Sequence, residues 1–158
     1  SNEKVGLKDL WGRGVAQIFA SVSSEMHDEF DIQYMKPIME RFGLCYYGCC
    51  EPLDNKIDIV SKISNLRKIS ITPWADVDNG AANIGSKYVL ASKPNPASVA
   101  VPSLNETELH KELDKIFNAC KRNNCSFDIV LKDISSVGKN PQNLVRWSEI
   151  AMEKALNY

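Results

Sequence analysis

Short runs rich in β-branched and aromatic residues alternate along the chain with longer stretches whose apolar positions recur every three or four residues. That rhythm predicts strands, each followed by a helix that returns over a parallel sheet. The first strand is expected at 15–22, closed by Ser23-Ser24, where a serine hydroxyl accepts from the free N–H groups of the next helix. Glu25 and Asp28 then favour the positive end of that helix. Met26, Phe30, Tyr34, Ile38 and Phe42 recur at intervals of four and predict a helix over 24–42 with this stripe along one side. Pro37 should kink it, Gly43 should end it, and His27 is expected on its surface among polar neighbours.

Leu44-Cys45-Tyr46-Tyr47-Gly48 reads as a buried strand running into a Cys49-Cys50-Glu51-Pro52 turn, after which Asp54 is expected to cap a helix through residue 63. A third strand, 66–72, alternates Ile69 and Ile71 with Lys68, Ser70 and Thr72 and breaks at Pro73-Trp74. A helix over 75–84 stops at Gly85, and a fourth strand follows at 88–91. Lys93-Pro94-Asn95-Pro96 predicts a stiff extended loop, because both prolines fix φ and bias the residues before them. Ser103-Leu104-Asn105-Glu106 fits a capping box ahead of a helix with Leu109, Leu113, Ile116 and Phe117 on one face. The fifth strand, 127–131, empties into Lys132-Asp133, and a last helix opens at Asn140-Pro141 and buries Leu144, Trp147, Ile150 and Ala151.

Five strands joined by helices fit either an open doubly wound sheet or part of a closed barrel. The glycine-rich phosphate cradles of nucleotide-binding folds are missing, which lowers nucleotide binding. With 44% hydrophobic and 25% charged residues, the chain is expected to be one compact domain over 3–158. Its formal net charge of −1 comes without a basic stripe, so no nucleic-acid partner is expected. No apolar run approaches the roughly 20 residues of a membrane span, and the polar start lacks secretory character, so a cytoplasmic protein without membrane attachment is expected. The five cysteines are an odd number, and Cys49-Cys50 is a poor pair for bridging, so reduced thiols are expected.

Three groups of residues carry a resemblance. They are Glu25-Met26-His27-Asp28-Glu29-Phe30 with Tyr34-Met35-Lys36-Pro37; Tyr47-Gly48-Cys49-Cys50-Glu51-Pro52-Leu53; and Arg67-Lys68-Ile69-Ser70-Ile71-Thr72-Pro73-Trp74-Ala75-Asp76 with Lys93-Pro94-Asn95-Pro96 and Leu131-Lys132-Asp133-Ile134-Ser135. Together they resemble uncharacterised bacterial members of the uroporphyrinogen decarboxylase-like superfamily, near its corrinoid-linked methyltransferase branch. The resemblance runs from about Trp11 to Met152 and implies an α/β fold, the C-terminal half of a TIM (β/α)8 barrel with about five parallel strands. It also implies that an N-terminal half is absent. Two open sheet edges would then need partners, either a second copy in a homo-oligomer such as a dimer, or the missing half.

In such barrels function gathers at the C-terminal strand ends. The resemblance therefore places Cys49, Glu51 and Asp133 in catalysis and Tyr47, Trp74, Lys93, Asn95 and Lys132 in binding substrate or cofactor. The methyltransferase branch implies zinc, which favours thiolate over thiol, and a corrinoid (cobalamin) or other tetrapyrrole, with a small corrinoid protein as partner. Cys49 matches the cysteine of that branch's His-x-Cys motif and Glu51 is a candidate oxygen ligand. Tyr47, however, stands in place of the histidine, and Ile134-Ser135-Ser136 offers no second cysteine. Trp74 is suited equally to stacking on a macrocycle and to capping the core. Cys45, Cys120 and Cys125 are read as structural, while Cys50 is either a further sulfur ligand beside Asp133 or a small buried hydrophobe. The decarboxylases' Gly-His-Gly turn is absent, so their lyase chemistry is expected only with the missing half. The alternative is a half-domain that holds a tetrapyrrole or a partner and catalyses nothing.

Overall fold

The computed structural model describes residues 4–158. Five strands, β1 (Trp11–Gly14), β2 (Leu44–Tyr47), β3 (Leu66–Ile71), β4 (Val89–Ser92) and β5 (Ser126–Ile129), form one parallel sheet in the order β1-β2-β3-β4-β5. Spatial order follows chain order with no reversal. A doubly wound sheet reverses direction at a switch point; the described strands contain no such reversal, so their connecting helices fall on one face. The architecture is α/β, parallel strands alternating with helices, and compatible with part of a barrel.

Two rows of residues run across the sheet. Gly14, Tyr47, Ile69, Leu90 and Phe127 are in register and face the helices, whereas Arg13, Tyr46, Lys68 and Val89 form the adjacent row on the opposite face. Cys45, Tyr47, Ile69 and Leu90 are fully buried. Alternation along each strand thus gives an apolar face under the helices and a polar face away from them.

The first strand corrects the expectation at 15–22. Residues Gln17–Ser21 form a 3-10 turn, Ile18 is 84% exposed, and pairing begins at Trp11 instead. Gly12 and Gly14 are the reason. A Cβ at Gly12 would lie 2.7 Å from the Phe42 ring, and one at Gly14 would lie 2.7 Å from Met39 Sδ and 2.8 Å from the Tyr47 ring. The strand fits under the first helical stretch only because those side chains are missing.

That stretch is continuous in three parts, α1 (Ser24–His27), a π-helical segment (Asp28–Ile32) and α2 (Gln33–Met39), with Pro37 inside α2. Its orientation is a second correction. Met26, Phe30, Tyr34 and Ile38 are all about half exposed or more, while His27, Ile32 and Met39 are buried. The wide π turn advances more than 3.6 residues per turn, so a period of four follows the outer side of this helix. His27, expected on the surface, is wholly enclosed and stacks on Phe19 at 5.1 Å.

The remaining helices are α3 (Ile57–Val60), α4 (Val77–Ile84), α5 (Glu106–Arg122) and α6 (Gln142–Leu156). Asp76 caps α4 through the N–H groups of Asp78 and Asn79, and Gly85 ends it at φ +52°, a left-handed conformation. Two expected caps shift. Asn105 caps α5 by accepting from Glu108 N at 3.2 Å, and α3 begins after Lys56, leaving Asp54 without a capping role. The main core lies between the sheet and the helices that cover it, with Ile116, Ala119 and Cys120 of α5 included. A second cluster joins Val99, Leu109, Leu113, Phe117, Trp147 and Ile150 where α5 meets α6. Among the described residues no helix is long and apolar enough to cross a membrane.

Candidate active site at the strand ends

The turn after β2 and the segment after β5 meet at the same rim of the sheet. Parallel strands bring all their C-terminal ends to one edge, and residues 83 apart in sequence come into contact there. Lys132 Nζ donates to Cys49 Sγ at 2.9 Å and to Cys50 Sγ at 3.0 Å, and Cys50 donates to Asp133 Oδ2 at 3.0 Å. The two sulfurs are 3.7 Å apart, and Lys132 also pairs with Asp133 at 3.1 Å.

Gly48 and Glu51 hold the thiol turn in place. Gly48 adopts φ +99°, a conformation that side chains rarely take, which reverses the chain directly before Cys49. Glu51 is 1% exposed, and its carboxylate accepts from Ala16 N at 3.1 Å and from Cys49 N at 3.0 Å. Ser70 Oγ donates to the Cys49 carbonyl at 3.0 Å, and Lys93 Nζ donates to the same oxygen. The backbone of Cys49 is therefore fixed on both its N–H and its C=O.

The surrounding charges set the thiols apart. Burial opposes ionisation of Cys49, but hydrogen bonds from Lys132 and Cys50, with the charges of Lys93 and Lys132, outweigh it and hold this thiol below its ordinary value. Cys50 moves the other way, raised by burial and by its bond to Asp133. Lys93 is depressed to about 8, chiefly by burial and then by the neighbouring Lys132. For Lys132 burial is outweighed by its bonds to Cys49, Cys50 and Asp133, so it stays charged above the ordinary lysine range. Bonds from Cys50 and Lys132 hold the Asp133 carboxyl below the usual carboxylate range. Of the two thiols Cys49 is therefore the one that ionises more readily.

Cys49, Cys50, Lys93, Lys132, Asp133 and Trp74 line one small cavity together. Trp74 is 70% exposed at its lip, so it does not cap the core. Other expected site residues lie elsewhere. Tyr47 is fully buried on the helix face, where its hydroxyl bonds His27 Nε2 at 2.7 Å and donates to Asp31. Glu51 is enclosed in the turn, with both oxygens engaged by backbone. Asn95 caps the 3-10 turn Pro96–Val99 by accepting from Ala97 N at 3.0 Å. Cys45, Cys120 and Cys125 are buried and remote from the rim. Cys50, left open in the sequence between a ligand and a buried hydrophobe, belongs to the site.

As placed, these side chains do not compose the expected zinc site. The Lys132 ammonium lies against both sulfurs, Glu51 is engaged, and Tyr47 faces away. Among the described residues no three His, Cys, Asp or Glu side chains are grouped to share a metal.

Arg13, Tyr46 and Lys68 went unnoticed in the sequence. They extend the rim onto the open face of the sheet, where Arg13 and Lys68 lie 5.1 and 5.2 Å from the Tyr46 ring centre and Lys68 pairs with Asp128. With Lys93, Lys132 and Asp133 they line a groove of about 360 Å3. Neither strand alone marks them, since Arg13 lies between two glycines and Lys68 follows Arg67. Comparison with protein-family models, with curated proteins and with solved structures found no match.

Proposed function

We propose that the chain is part of a (β/α)8 barrel of the uroporphyrinogen decarboxylase-like superfamily and serves metal-independent methyl transfer from a corrinoid to a thiol. The observation that carries this reading is the contact of Lys132 with Cys49 at the C-terminal rim of the sheet. A methyltransferase of this kind needs a thiolate at neutral pH, and a metal is one means to that end. Paired ammonium groups in a partly water-excluded cavity are another, since a cation near sulfur favours the charged form.

In this reading Cys49 is the general base. Its thiolate takes the proton of a substrate thiol entering the cavity, and the charge passes from one sulfur to the other beside the same two lysines. The new thiolate, held beside Lys93 and Lys132, would accept the methyl group that a bound methylcorrinoid would supply. Cys49 returns its proton to water. Trp74, exposed at the cavity lip, offers a flat surface to a macrocycle. A preceding half-barrel or a second copy would pair the free edges of β1 and β5.

The test is to mix the protein with methylcobalamin and 2-mercaptoethanesulfonate and follow both the cobalamin spectrum and the methyl thioether. Loss of methylcobalamin with equivalent thioether, abolished in Cys49→Ser, is the expected result. Binding of methylcobalamin without thioether, in the chain alone and with a co-expressed N-terminal half, would replace this reading with a non-catalytic tetrapyrrole-binding half-domain.

A further inference from the structure

We propose that Cys49 is also a modification site, forming a mixed disulfide with small disulfides that carry carboxylates, which the groove lined by Arg13, Lys68 and Lys93 draws toward the sulfur. Two independent features meet here. The first is the sulfur itself: partly open to solvent, hydrogen-bonded by Lys132, and lining a cavity that also presents Thr72. Thr72 is 4% exposed, and its buried hydroxyl has no hydrogen-bond partner among the described residues, an unsatisfied polar group in the wall of this cavity. The second is the charge of the adjoining groove, which shares Lys93, Lys132 and Asp133 with that cavity.

The groove holds four basic side chains, Arg13, Lys68, Lys93 and Lys132. After Asp128, Asp133 and an ionised Cys49 are counted against them, positive charge remains in surplus, although the chain as a whole is −1. Among the described residues Arg13 makes no ion pair, and its planar fork is suited to gripping a carboxylate in two places. A volume of about 360 Å3 is within the range of small-molecule sites, roughly 300 to 1000 Å3.

The exchange balances without further reagents. The Cys49 thiolate attacks one sulfur of the incoming disulfide; a new S–S bond forms and the old one breaks. One half stays on Cys49, and the other leaves as a thiolate that takes a proton from water. Cys49 is oxidised and the leaving sulfur is reduced. Cys50 does not readily close a ring with Cys49, because adjacent Cα atoms stand about 3.8 Å apart, closer than disulfides ordinarily span. The product is therefore the mixed disulfide, which blocks the thiolate until a free thiol removes it.

This inference does not require methyl transfer, and its test is separate. The intact protein is treated at pH 7.5 with oxidised glutathione, which is anionic, with cystamine, which is cationic, and with neutral bis(2-hydroxyethyl) disulfide. Mixed-disulfide formation is timed by intact mass and located by peptide mapping. Oxidised glutathione should react at Cys49 on the order of tenfold faster than cystamine, as electrostatic steering allows. Its advantage over the neutral reagent should shrink in 0.5 M salt and in the double variant Arg13→Gln/Lys68→Gln. Should that variant fail to fold, the salt series on the unaltered protein decides. Equal or faster reaction with cystamine, a preference indifferent to salt, or modification at Cys45, Cys120 or Cys125 instead would overturn it.

Discussion

Lys132 Nζ stands 2.9 Å from Cys49 Sγ and 3.0 Å from Cys50 Sγ, yet only one of these sulfurs is held in a thiolate-favouring setting. Burial raises Cys50 first and its bond to Asp133 at 3.0 Å raises it further, whereas Cys49 has no carboxylate acceptor among the described residues and feels the charge of Lys93. Asp133→Asn should lower Cys50 toward the ordinary thiol range. Labelling with a limiting amount of iodoacetamide, mapped by mass spectrometry, should then shift from Cys49 alone to a mixture of both cysteines.

Lys93 is 5% exposed, and burial, its principal influence, lowers its pKa from 10.5 to about 8. Below about pH 8 it is charged in both folded and unfolded chains, and the cost of burying that charge is fully present. As pH rises from about 8 toward 10.5 the folded form releases its proton first, so stability should rise across that window. Lys93→Met should raise stability near pH 7 by roughly 1–3 kcal/mol and flatten this rise, measured by urea denaturation at pH 7, 9 and 10. Ser70 still satisfies the Cys49 carbonyl in the variant.

Tyr47 lies across the sheet from the thiols and is bonded to His27 and Asp31. Tyr47→Phe leaves both partners without that hydroxyl and should cost about 1–3 kcal/mol of stability. It should leave the alkylation rate of Cys49 within twofold of the unaltered protein. A large rate loss in the folded variant would restore Tyr47 to the site.

Gly14 has no room for a methyl group, since a Cβ there would meet Met39 and Tyr47 at 2.7–2.8 Å. Gly14→Ala should lower stability by about 1–3 kcal/mol, read as a fall in the midpoint of thermal unfolding. A similar change at Gly6, where only Asp9 lies nearby at 3.6 Å, should have a smaller effect.

Alternation of strand and helix was legible because apolar periodicity is strong in Leu44–Tyr47, Leu66–Ile71 and Glu106–Arg122. The first strand was hidden because its fitness for the sheet lies in two missing side chains, and no hydrophobic count registers an absence. The first helix was misoriented because its π turn shifts the apolar period. At the rim, the meeting of Cys49 with Lys132 and Asp133 was readable from strand-end placement. Glu51 looked like a ligand because its backbone partners, Ala16 N and Cys49 N, depend on the tertiary fold. Arg13 and Lys68 were passed over because each gains meaning only from the cross-strand row shared with Tyr46.

The most direct test of the account is the pH dependence of Cys49 alkylation by iodoacetamide, in the unaltered protein and in Lys132→Met. The groups facing this sulfur are Lys132, Lys93, Cys50 and, through Cys50, Asp133. The predicted midpoint lies below the ordinary thiol value of about 8.5 and moves up by about one unit or more when Lys132 is replaced. A midpoint at or above the ordinary value, or one unmoved by the loss of Lys132, would contradict a lysine-held thiolate at this rim.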